Sequence, residues 1–299
     1  MGRSRYVDRM TTSRIALVTG ANQGLGRALV EGLAARMKQE DLVLLTGRDR
    51  DRVAAAATEV AGGPAVARVE GRVLDVRDPE SIASLAAELG AVDIVFSNAS
   101  SRMSPEADPT DEVDAVAETS NLATTRILRA LAPRLRPGGR LIIVASALGT
   151  LDKLDPRIAG RFADVAEQDL DAVDALVAGW RQAVHDGRAE DEGYGTWLNI
   201  PSKVAQVAAV RAIAHERRKA DLAVNKLIMA LCPGLIDTDA SRPWFEDMSN
   251  AQTPTQAASW PLELVLGSTF DPAFYGELVQ FAKVLLWRTG IPVTHSAAA

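Results

Sequence analysis

The 299-residue sequence has one cysteine and three histidines, and these shortages exclude two kinds of site. A single cysteine cannot form an intramolecular disulfide, so a reducing compartment is expected and the cytoplasm is the predicted location. His185, His215 and His295 lie far apart in the sequence, with no neighbouring cluster of carboxylates or cysteines. The sequence therefore predicts no metal site.

Long apolar runs and an excess of positive charge are also missing. No window reaches the roughly 18 consecutive apolar residues of a membrane span. Residues 1–13 lack the apolar stretch of a signal peptide, and we expect them to form a poorly ordered lead-in. The 33 basic and 39 acidic residues give a net charge of −6, the wrong sign for a nucleic-acid partner. The composition is that of a globular protein with a sizeable core.

The sequence does contain an alternation of short apolar runs with longer amphipathic stretches. The apolar runs, which suit strands covered on both faces, are 15–19, 42–46, 65–74, 92–96, 141–144, 224–231 and 277–286. Stretches with helical spacing occupy 24–38, 49–61, 79–89, 110–136 and 201–219. This alternation predicts an α/β fold, a doubly wound parallel sheet (Rossmann fold) of about seven strands. We expect a single domain over residues 14–299.

The alternation is interrupted between residues 150 and 193, where two helical patterns replace one connection. One face of the second helix is apolar, and Gly187 is placed to end it. That face comprises Leu170, Val173, Leu176, Val177, Trp180 and Val184. The helix either packs on the body of the domain or forms a lid beside a substrate site, since binding elements gather at the carboxyl ends of strands. The two interpretations are compatible.

A glycine-rich loop, TGANQGLG over residues 19–26, directly follows the first apolar run and opens a helix. The first glycine permits a tight turn, the second lets the backbone approach a pyrophosphate, and the third lets the helix pack closely on the strand. Free N–H groups at the helix N-terminus then favour an anion. The loop predicts dinucleotide contacts from Gly20, Asn22, Gln23, Gly24, Leu25 and Gly26.

The end of the second strand indicates which dinucleotide binds. NAD sites place an acid there for the ribose 2′-hydroxyl, whereas an arginine accommodates a 2′-phosphate. Here Gly47 stands at the position of the acid, Arg48 follows it, and Arg52 lies one helical turn further on. These residues favour NADPH over NADH. The alternative is that residues 48–52 form a solvated, self-paired charge run.

Further motifs follow the glycine loop in an order that resembles the short-chain dehydrogenase/reductase family. They are Asp75-Val76, Asn98-Ala99, Asn121, Ser146, Lys203 and the segment CPGLIDTD over 232–239. The resemblance extends from Arg14 to about Arg288. It is greatest to the carbonyl-reductase branch, which also carries a long insertion between its serine and its lysine.

The resemblance implies a role for each matching residue. Ser146 corresponds to the catalytic serine, and Asn121 to the asparagine that holds a helix kink and an ordered water. Lys203 would bind the nicotinamide ribose and act in catalysis. The remaining implied cofactor contacts are Asp75, Val76, Asn98, Ala99, Pro233, Gly234, Ile236 and Thr238.

One position departs from the family pattern. The family's proton donor is a tyrosine four residues before the lysine, and that position holds Asn199 in this chain. A neutral amide has no proton to give up at useful pH, so Asn199 cannot be a general acid. Tyr194 lies nine residues before Lys203 with Pro201 between them, so it would reach the same point only through a rearranged loop.

These features predict an atypical NADPH-dependent ketoreductase that reduces a ketone to an alcohol without a tyrosine. Its proton could come from Ser146, from Lys203 through water near Asn121 or Asn199, or from an acidic hydroxyl on the substrate. We favour the last, assisted by Ser146 and the charge of Lys203. The alternative is a non-catalytic regulator that binds NADPH with the same fold, although a sensor needs no serine beside the nicotinamide.

Bulky aromatic residues suggest the kind of substrate. Trp244 and Phe245 follow the CPGLIDTD segment, where family members build a substrate loop, and Ser146, Trp180 and Tyr194 are the other candidate substrate contacts. Aromatic side chains suit a flat, apolar ketone, although ordinary packing would also explain them. Among relatives without the tyrosine, the chain resembles ketoreductases of aromatic polyketide antibiotic pathways that act on angucyclinones. Because the extra helices cover a surface that shorter members use for pairing, we expect a monomer.

Overall fold

The computed structural model describes residues 13–290 and 292–293 of the chain. Most of the predicted lead-in therefore lies outside the described residues. Within them, strands form at the predicted apolar runs. Side chains at 15–18, 42–47, 92–97 and 227–231 are mostly buried on both faces of the backbone. Those at 68–73, on an edge strand of the sheet, are partly or fully exposed. The strands are β1 Ile15–Val18, β2 Leu42–Gly47, β3 Arg68–Val73, β4 Val92–Ser97, β5 Leu135–Val144, β6 Leu227–Leu231, β7 Leu278–Gln280, β8 Lys283–Leu285 and β9 Pro292–Val293.

Helices connect the strands, and several begin at an aspartate whose side chain accepts a backbone N–H. Asp78, Asp108 and Asp155 do so with a proline directly after them. The helices are α1 Gly24–Arg36, α2 Arg50–Ala61, α3 Pro79–Leu89, α4 Pro109–Val116, α5 Ala123–Leu131, α6 Pro156–Val165, α7 Leu170–His185, α8 Asn199–Ala223 and α9 Pro254–Leu266.

All the strands described form one sheet in the order β3-β2-β1-β4-β5-β6-β7-β8-β9. Neighbours from β3 to β7 pair in parallel, whereas β7, β8 and β9 pair antiparallel. The strand order reverses between β1 and β4, and a crevice at such a switch point, outside the carboxyl ends of the strands, is where doubly wound sheets bind ligands. The predicted doubly wound fold is confirmed, although the sheet has nine strands and not the predicted seven or so, because a hairpin and a short strand extend it beyond β7.

Two predicted elements were wrong in detail. Residues 277–286 form two strands rather than one, because Phe281 and Ala282 have φ values of 48° and 59° and close a two-residue hairpin. The helix predicted over 110–136 ends at Leu131, and β5 begins at Leu135. Pro133 and Pro137 both interrupt a helix, since proline has no N–H and its ring clashes with the preceding turn, and the chain enters the sheet at Leu135.

Helix α9 was not predicted. A capping box marks its start, where the Thr253 side chain accepts from the backbone of Gln256 and the Gln256 side chain accepts from the backbone of Thr253. The helix packs closely on α1, since a Cβ at Gly32 would lie 2.2 Å from a methyl carbon of Leu262. The TPTQ sequence at 253–256 is the signal that could have located it.

Helices α6 and α7 lie within the predicted insertion, and polar contacts tie α7 to the helices beside it. Asp174 accepts from Thr125 at 2.7 Å and from Arg129 at 2.7 Å. Asp114 on α4 is within 2.6 Å of Arg181 and 2.7 Å of His185. These contacts support the interpretation that α7 packs on the body of the fold. The lid stays a prediction.

Candidate active site

The glycine loop lies at the carboxyl end of β1, where residues after β4 hold it. Gly20 has a φ of +62°, and a Cβ there would lie 2.8 Å from the Cα of Ala99. The Asn98 side chain donates to the carbonyls of Thr19 and Gly20 at 3.0 and 3.1 Å. The Thr19 hydroxyl oxygen accepts from the backbone N–H groups of Asn98 and Ala99. The predicted NADPH contacts at 98–99 therefore shape the loop itself.

The start of α1 has no room for larger side chains. A Cβ at Gly26 would lie 2.5 Å from the Asn98 amide nitrogen and 2.5 Å from the Gly20 carbonyl oxygen. Gly24, with a φ of +56°, lies opposite Thr238, whose methyl carbon would be 3.6 Å from a Cβ at Gly24. The CPGLIDTD segment thus faces the glycine loop. Between them the first turn of α1 exposes backbone N–H groups of the kind that bind pyrophosphate.

Two arginines lie beside this loop. Arg52 donates to the Gln23 side chain at 2.5 Å, and the Asn22 amide is satisfied when its oxygen accepts from Arg52 at 3.0 and 3.2 Å. Arg48 is exposed and forms no salt bridge with residues in the described part of the chain. The structure therefore brings together both arginines and the loop, with Arg52 braced against it and Arg48 open to a ligand.

The carboxylate of Asp75 is already engaged by a residue that sequence reasoning missed. Arg77 donates to it through Nη2 at 2.6 Å and through Nε at 3.0 Å. The side-chain hydrogen bonds from Arg77 hold the pKa of Asp75 below its usual value, and the nearby charge of Arg48 lowers it further. The short D-x-R spacing at 75–77 is the sequence feature that could have predicted this contact between Arg77 and Asp75.

Ser146 lies two positions after the end of β5, in a turn that packs against α8. Its Oγ accepts from the backbone N–H of Leu148 at 3.2 Å, which leaves the hydroxyl hydrogen available for another acceptor. A Cβ at Gly149 would lie 3.0 Å from the carbonyl oxygen of Lys203. The structure thus brings the turn of the predicted catalytic serine against the helix that carries the predicted lysine.

The ammonium group of Lys203 binds a side chain on its own helix. Its Nζ donates to Oε1 of Gln206 at 2.8 Å. Desolvation by the surrounding protein lowers the pKa of Lys203 to about 8, and the neighbouring Cys232 opposes that shift slightly. Burial in turn raises the pKa of the Cys232 thiol, which keeps this thiol protonated and unreactive.

Asn121 lies in a π turn, Ala117–Leu122, between α4 and α5. Its amide nitrogen donates to the carbonyl of Ser202 at 2.8 Å, and its amide oxygen accepts from the hydroxyl of Ser202 at 3.0 Å. Both polar ends of the side chain thus bind the residue next to Lys203. The Asn121 side chain therefore links the π turn to the start of α8 in this structure.

Asn199 and Tyr194 occupy different surroundings. Asn199 begins α8 and lies one turn before Lys203, so the two side chains share a face of the helix. Tyr194 is buried, and its ring packs edge-on against Phe162 with centroids 6.4 Å apart. Its packing on α6 gives it a structural role and does not support its use as a proton donor.

The predicted substrate aromatics are divided between the loop and the core. The ring of Trp244 stacks on Trp197, with centroids 5.6 Å apart and planes inclined by 31°. Phe245 beside it is exposed, whereas Trp180 is 1% exposed and belongs to the core of the insertion. Sequence reasoning missed Trp197, although it lies only two residues before Asn199. The stack joins the substrate loop to the start of α8.

The Pro233-Gly234 turn adjoins the β7–β8 hairpin. Gly234 has a φ of +84°, and a Cβ there would lie 2.9 Å from the ring of Phe281. Ile236 is buried, and its carbonyl accepts from Ser241, whose hydroxyl also contacts Thr238 at 2.7 Å. The hairpin and these hydrogen bonds hold the segment facing the glycine loop.

Two kinds of feature are absent from residues 13–290 and 292–293. No group of three or more histidine, cysteine or acidic side chains there is arranged to hold a metal ion. No helix in this part of the chain is long and apolar enough to cross a membrane.

Comparison with known proteins identifies the family. The model of the family described as short chain dehydrogenase matches residues 14–155. Carbonyl reductase [NADPH] 3 of Rattus norvegicus is 30% identical over 291 residues, which cover 92% of this chain and 99% of that protein. Carbonyl reductase [NADPH] 1 of Sus scrofa is 27% identical, with 94% of this chain and 96% of that protein covered.

Solved structures show the same fold. Salutaridine reductase from Papaver somniferum superposes with a TM-score of 0.73 at 18% identity, covering 89% of this chain and 99% of that one. NADPH-bound carbonyl reductase from chicken fatty liver gives a TM-score of 0.63 at 20% identity, covering 92% and 94%. The predicted family is confirmed. The chain belongs to the short chain dehydrogenase family.

Proposed function

We propose that the protein reduces a ketone to an alcohol with NADPH as the hydride source. The observation that carries this proposal is the approach of the Ser146 turn to the Lys203 helix, on a fold whose glycine loop faces the CPGLIDTD segment. The names of the relatives, carbonyl reductases marked NADPH, agree with it. When bound, NADPH would supply the hydride, and the protein supplies binding groups and stabilisation of negative charge.

The described residues fit this cofactor. The loop at Gly24 leaves the space that a side chain would fill, and the N–H groups at the start of α1 suit a pyrophosphate. Arg48 and Arg52 would hold the 2′-phosphate, with Arg52 fixed by Asn22 and Gln23. Asp75, Val76, Asn98, Ala99, Pro233, Gly234, Ile236 and Thr238 remain the proposed contacts to the rest of the molecule.

Cofactor preference gives a first test. Replacing Arg48 with glutamine is expected to lower the preference for NADPH over NADH about 10-fold to 100-fold, because a charge-assisted hydrogen bond to the 2′-phosphate is lost. Dissociation constants for both cofactors, measured by calorimetry, would show the change. Arg50→Gln is the matched control, since Arg50 is another exposed arginine of the same charge run. An equal effect of both substitutions would contradict a specific role for Arg48.

The developing alkoxide needs donors that the chain can supply without tyrosine. The Ser146 hydroxyl has its hydrogen free for an oxyanion, and the Lys203 ammonium stabilises negative charge electrostatically. Asn199 shares the face of Lys203 but offers only amide hydrogens, which stay on the nitrogen. Ser146 and Lys203 would thus stabilise the negative charge of the alkoxide, and the proton that converts it to the alcohol has to come from another group.

We place the source of that proton on the substrate. An aromatic ketone with a neighbouring phenol carries an acidic hydrogen within reach of its own carbonyl oxygen. The Trp197–Trp244 stack and exposed Phe245 support a flat aromatic substrate of the polyketide or angucyclinone type. The matching biological setting is antibiotic biosynthesis, as in the angucyclinone ketoreductase of simocyclinone biosynthesis, which the sequence resembles.

The substrate-assisted step predicts a difference between two ketones. A ketone that bears a neighbouring phenol is expected to turn over at least about tenfold faster than its methyl ether at saturating NADPH, since a general acid contributes 10²–10⁴-fold where nothing replaces it. Oxidation of NADPH, followed by its absorbance, measures both rates. Equal rates would show that the proton does not come from the phenol.

The same assay distinguishes catalysis from regulation. A panel of aromatic ketones and quinones should include substrates that oxidise NADPH. Tight NADPH binding without oxidation by any member would favour the non-catalytic regulator.

The insertion supports a monomer. Helix α7 covers parts of α4 and α5 through the pairs Arg181–Asp114 and Arg129–Asp174. A second copy would have to displace these contacts to pair through the same surface. Sedimentation should therefore give the mass of one chain, and a tight dimer would contradict the proposal.

A further inference from the structure

Gln206 presents a buried amide to the ammonium group of Lys203. The two residues are three positions apart in α8, where side chains are neighbours on one face. Gln206 is 2% exposed, and its Oε1 accepts from Lys203 Nζ at 2.8 Å. A buried amide at this position needs partners for both of its polar ends. Its amide nitrogen binds a residue of a second helix, α5.

The hydrogen bonds of Thr124 fix which way this amide points. The Thr124 hydroxyl donates to the carbonyl of Ser120 at 2.6 Å, one turn back and inside the π turn. Its single hydrogen is therefore committed, and its oxygen serves as an acceptor. Gln206 Nε2 donates to that oxygen at 3.2 Å. With the nitrogen held at Thr124, the amide oxygen has to face Lys203.

We propose that Gln206, oriented by Thr124, is a positioning residue that holds the Lys203 ammonium in place and in its charged form for the reduction. The inference rests on the proposed function, because it concerns the lysine that stabilises the alkoxide. It goes beyond the motif residues, since neither Gln206 nor Thr124 belongs to the serine, asparagine and lysine set.

The surroundings of Lys203 allow a neutral acceptor, the amide oxygen of Gln206, to favour the charged form of the lysine. Within residues 13–290, the titratable group that faces Lys203 is the Cys232 thiol, on the loop after β6, and Lys203 forms no salt bridge there. Desolvation lowers the pKa of Lys203 to about 8. An acceptor that binds the charged form opposes that loss. Without the acceptor, more of the lysine would be neutral at physiological pH.

The protonation state of Lys203 determines how the reaction rate should change with pH. If the reaction needs protonated Lys203, the rate is full well below the pKa and falls as pH rises through about 8. Gln206→Met keeps the length of the side chain but removes the acceptor, so the alkaline limb should move down by about one pH unit. Gln206→Glu adds a negative charge and should move the limb up by a similar amount. Thr124→Val frees the amide to rotate and should give a smaller downward shift.

The titration is best measured on Lys203 itself. NMR of the lysine Nζ and its adjacent carbons in uniformly labelled, cofactor-free protein gives the pKa directly, with Lys203→Arg to assign the signal. The proposal expects the order Gln206→Met, Thr124→Val, wild type, Gln206→Glu from lowest to highest. The same order should hold for the alkaline limb of kcat with an aromatic ketone. Thermal melting of each variant shows which of them fold.

The outcomes are distinguishable. If Gln206 had a purely structural role, the variants would have a lower Tm but the same Lys203 pKa as the wild type. That result would overturn the inference. A shifted titration without turnover of any ketone would support the inference on positioning and count against the proposed function. If one variant does not fold, the pKa values of Lys203 in the other two variants and in the wild type must still fall in the order stated.

Discussion

Replacing Lys203 with methionine is expected to lower kcat/KM for ketone reduction by about 10²–10³-fold, in the range seen when an oxyanion-stabilising group is removed. The methionine keeps most of the aliphatic chain and removes the charge, so packing in α8 is largely retained. The loss should be large because the chain has Asn199, not a tyrosine, one turn before Lys203. In the proposed reaction, Lys203 and Ser146 then carry the stabilisation of the alkoxide between them.

Asn199→Ala is the matched comparison, because Asn199 lies on the same face of α8 as Lys203. We expect it to reduce kcat/KM less than tenfold, since an amide has no proton to transfer. Steady-state rates with saturating NADPH, and NADPH binding measured by fluorescence, separate chemistry from cofactor affinity. If Lys203→Met retained wild-type rates, the charge would have no part in the reaction. A large loss in Asn199→Ala would assign the amide a role in that step.

The parts of the site that were predictable from sequence are those fixed by local backbone geometry. The glycine loop is one, because the tight turn at Gly20 and the close approach at Gly26 leave no room for other residues. Arg48 is another, since its place at the end of β2 follows from the length of the strand. In each case a few consecutive residues determine where the group lies.

Other features depend on pairs that are remote in sequence. Thr124 and Gln206 are far apart in the chain, and their contact requires α5 to lie against α8. Trp197 meets Trp244 only because the loop after β6 folds back towards the start of α8. No local spacing encodes these distances, so sequence reasoning located the lysine but not the amide that holds it. The φ values at Phe281 and Ala282 were hidden for another reason, because neither residue type favours positive φ.

Placing valine at Gly24 is expected to raise the dissociation constant for NADPH by at least about 100-fold. Gly24 has a φ of +56°, which a β-branched residue adopts only with strain of about 1–2 kcal/mol. The new side chain would stand between the first turn of α1 and Thr238, in the space proposed for the pyrophosphate. Loss of several charge-assisted hydrogen bonds to that group would add to the strain. Calorimetry with NADPH measures the effect.

Gly90→Val separates strain from the loss of binding space. Gly90 follows α3 with a φ of +65°, and a Cβ there would meet nothing within 4 Å. Both substitutions should lower Tm by a few degrees, since both force a β-branched residue to a positive φ. NADPH affinity should fall only in Gly24→Val, because only that position faces Thr238. Equal weakening in both variants would attribute the effect to general destabilisation, and tight binding by Gly24→Val would place the pyrophosphate away from the glycine loop.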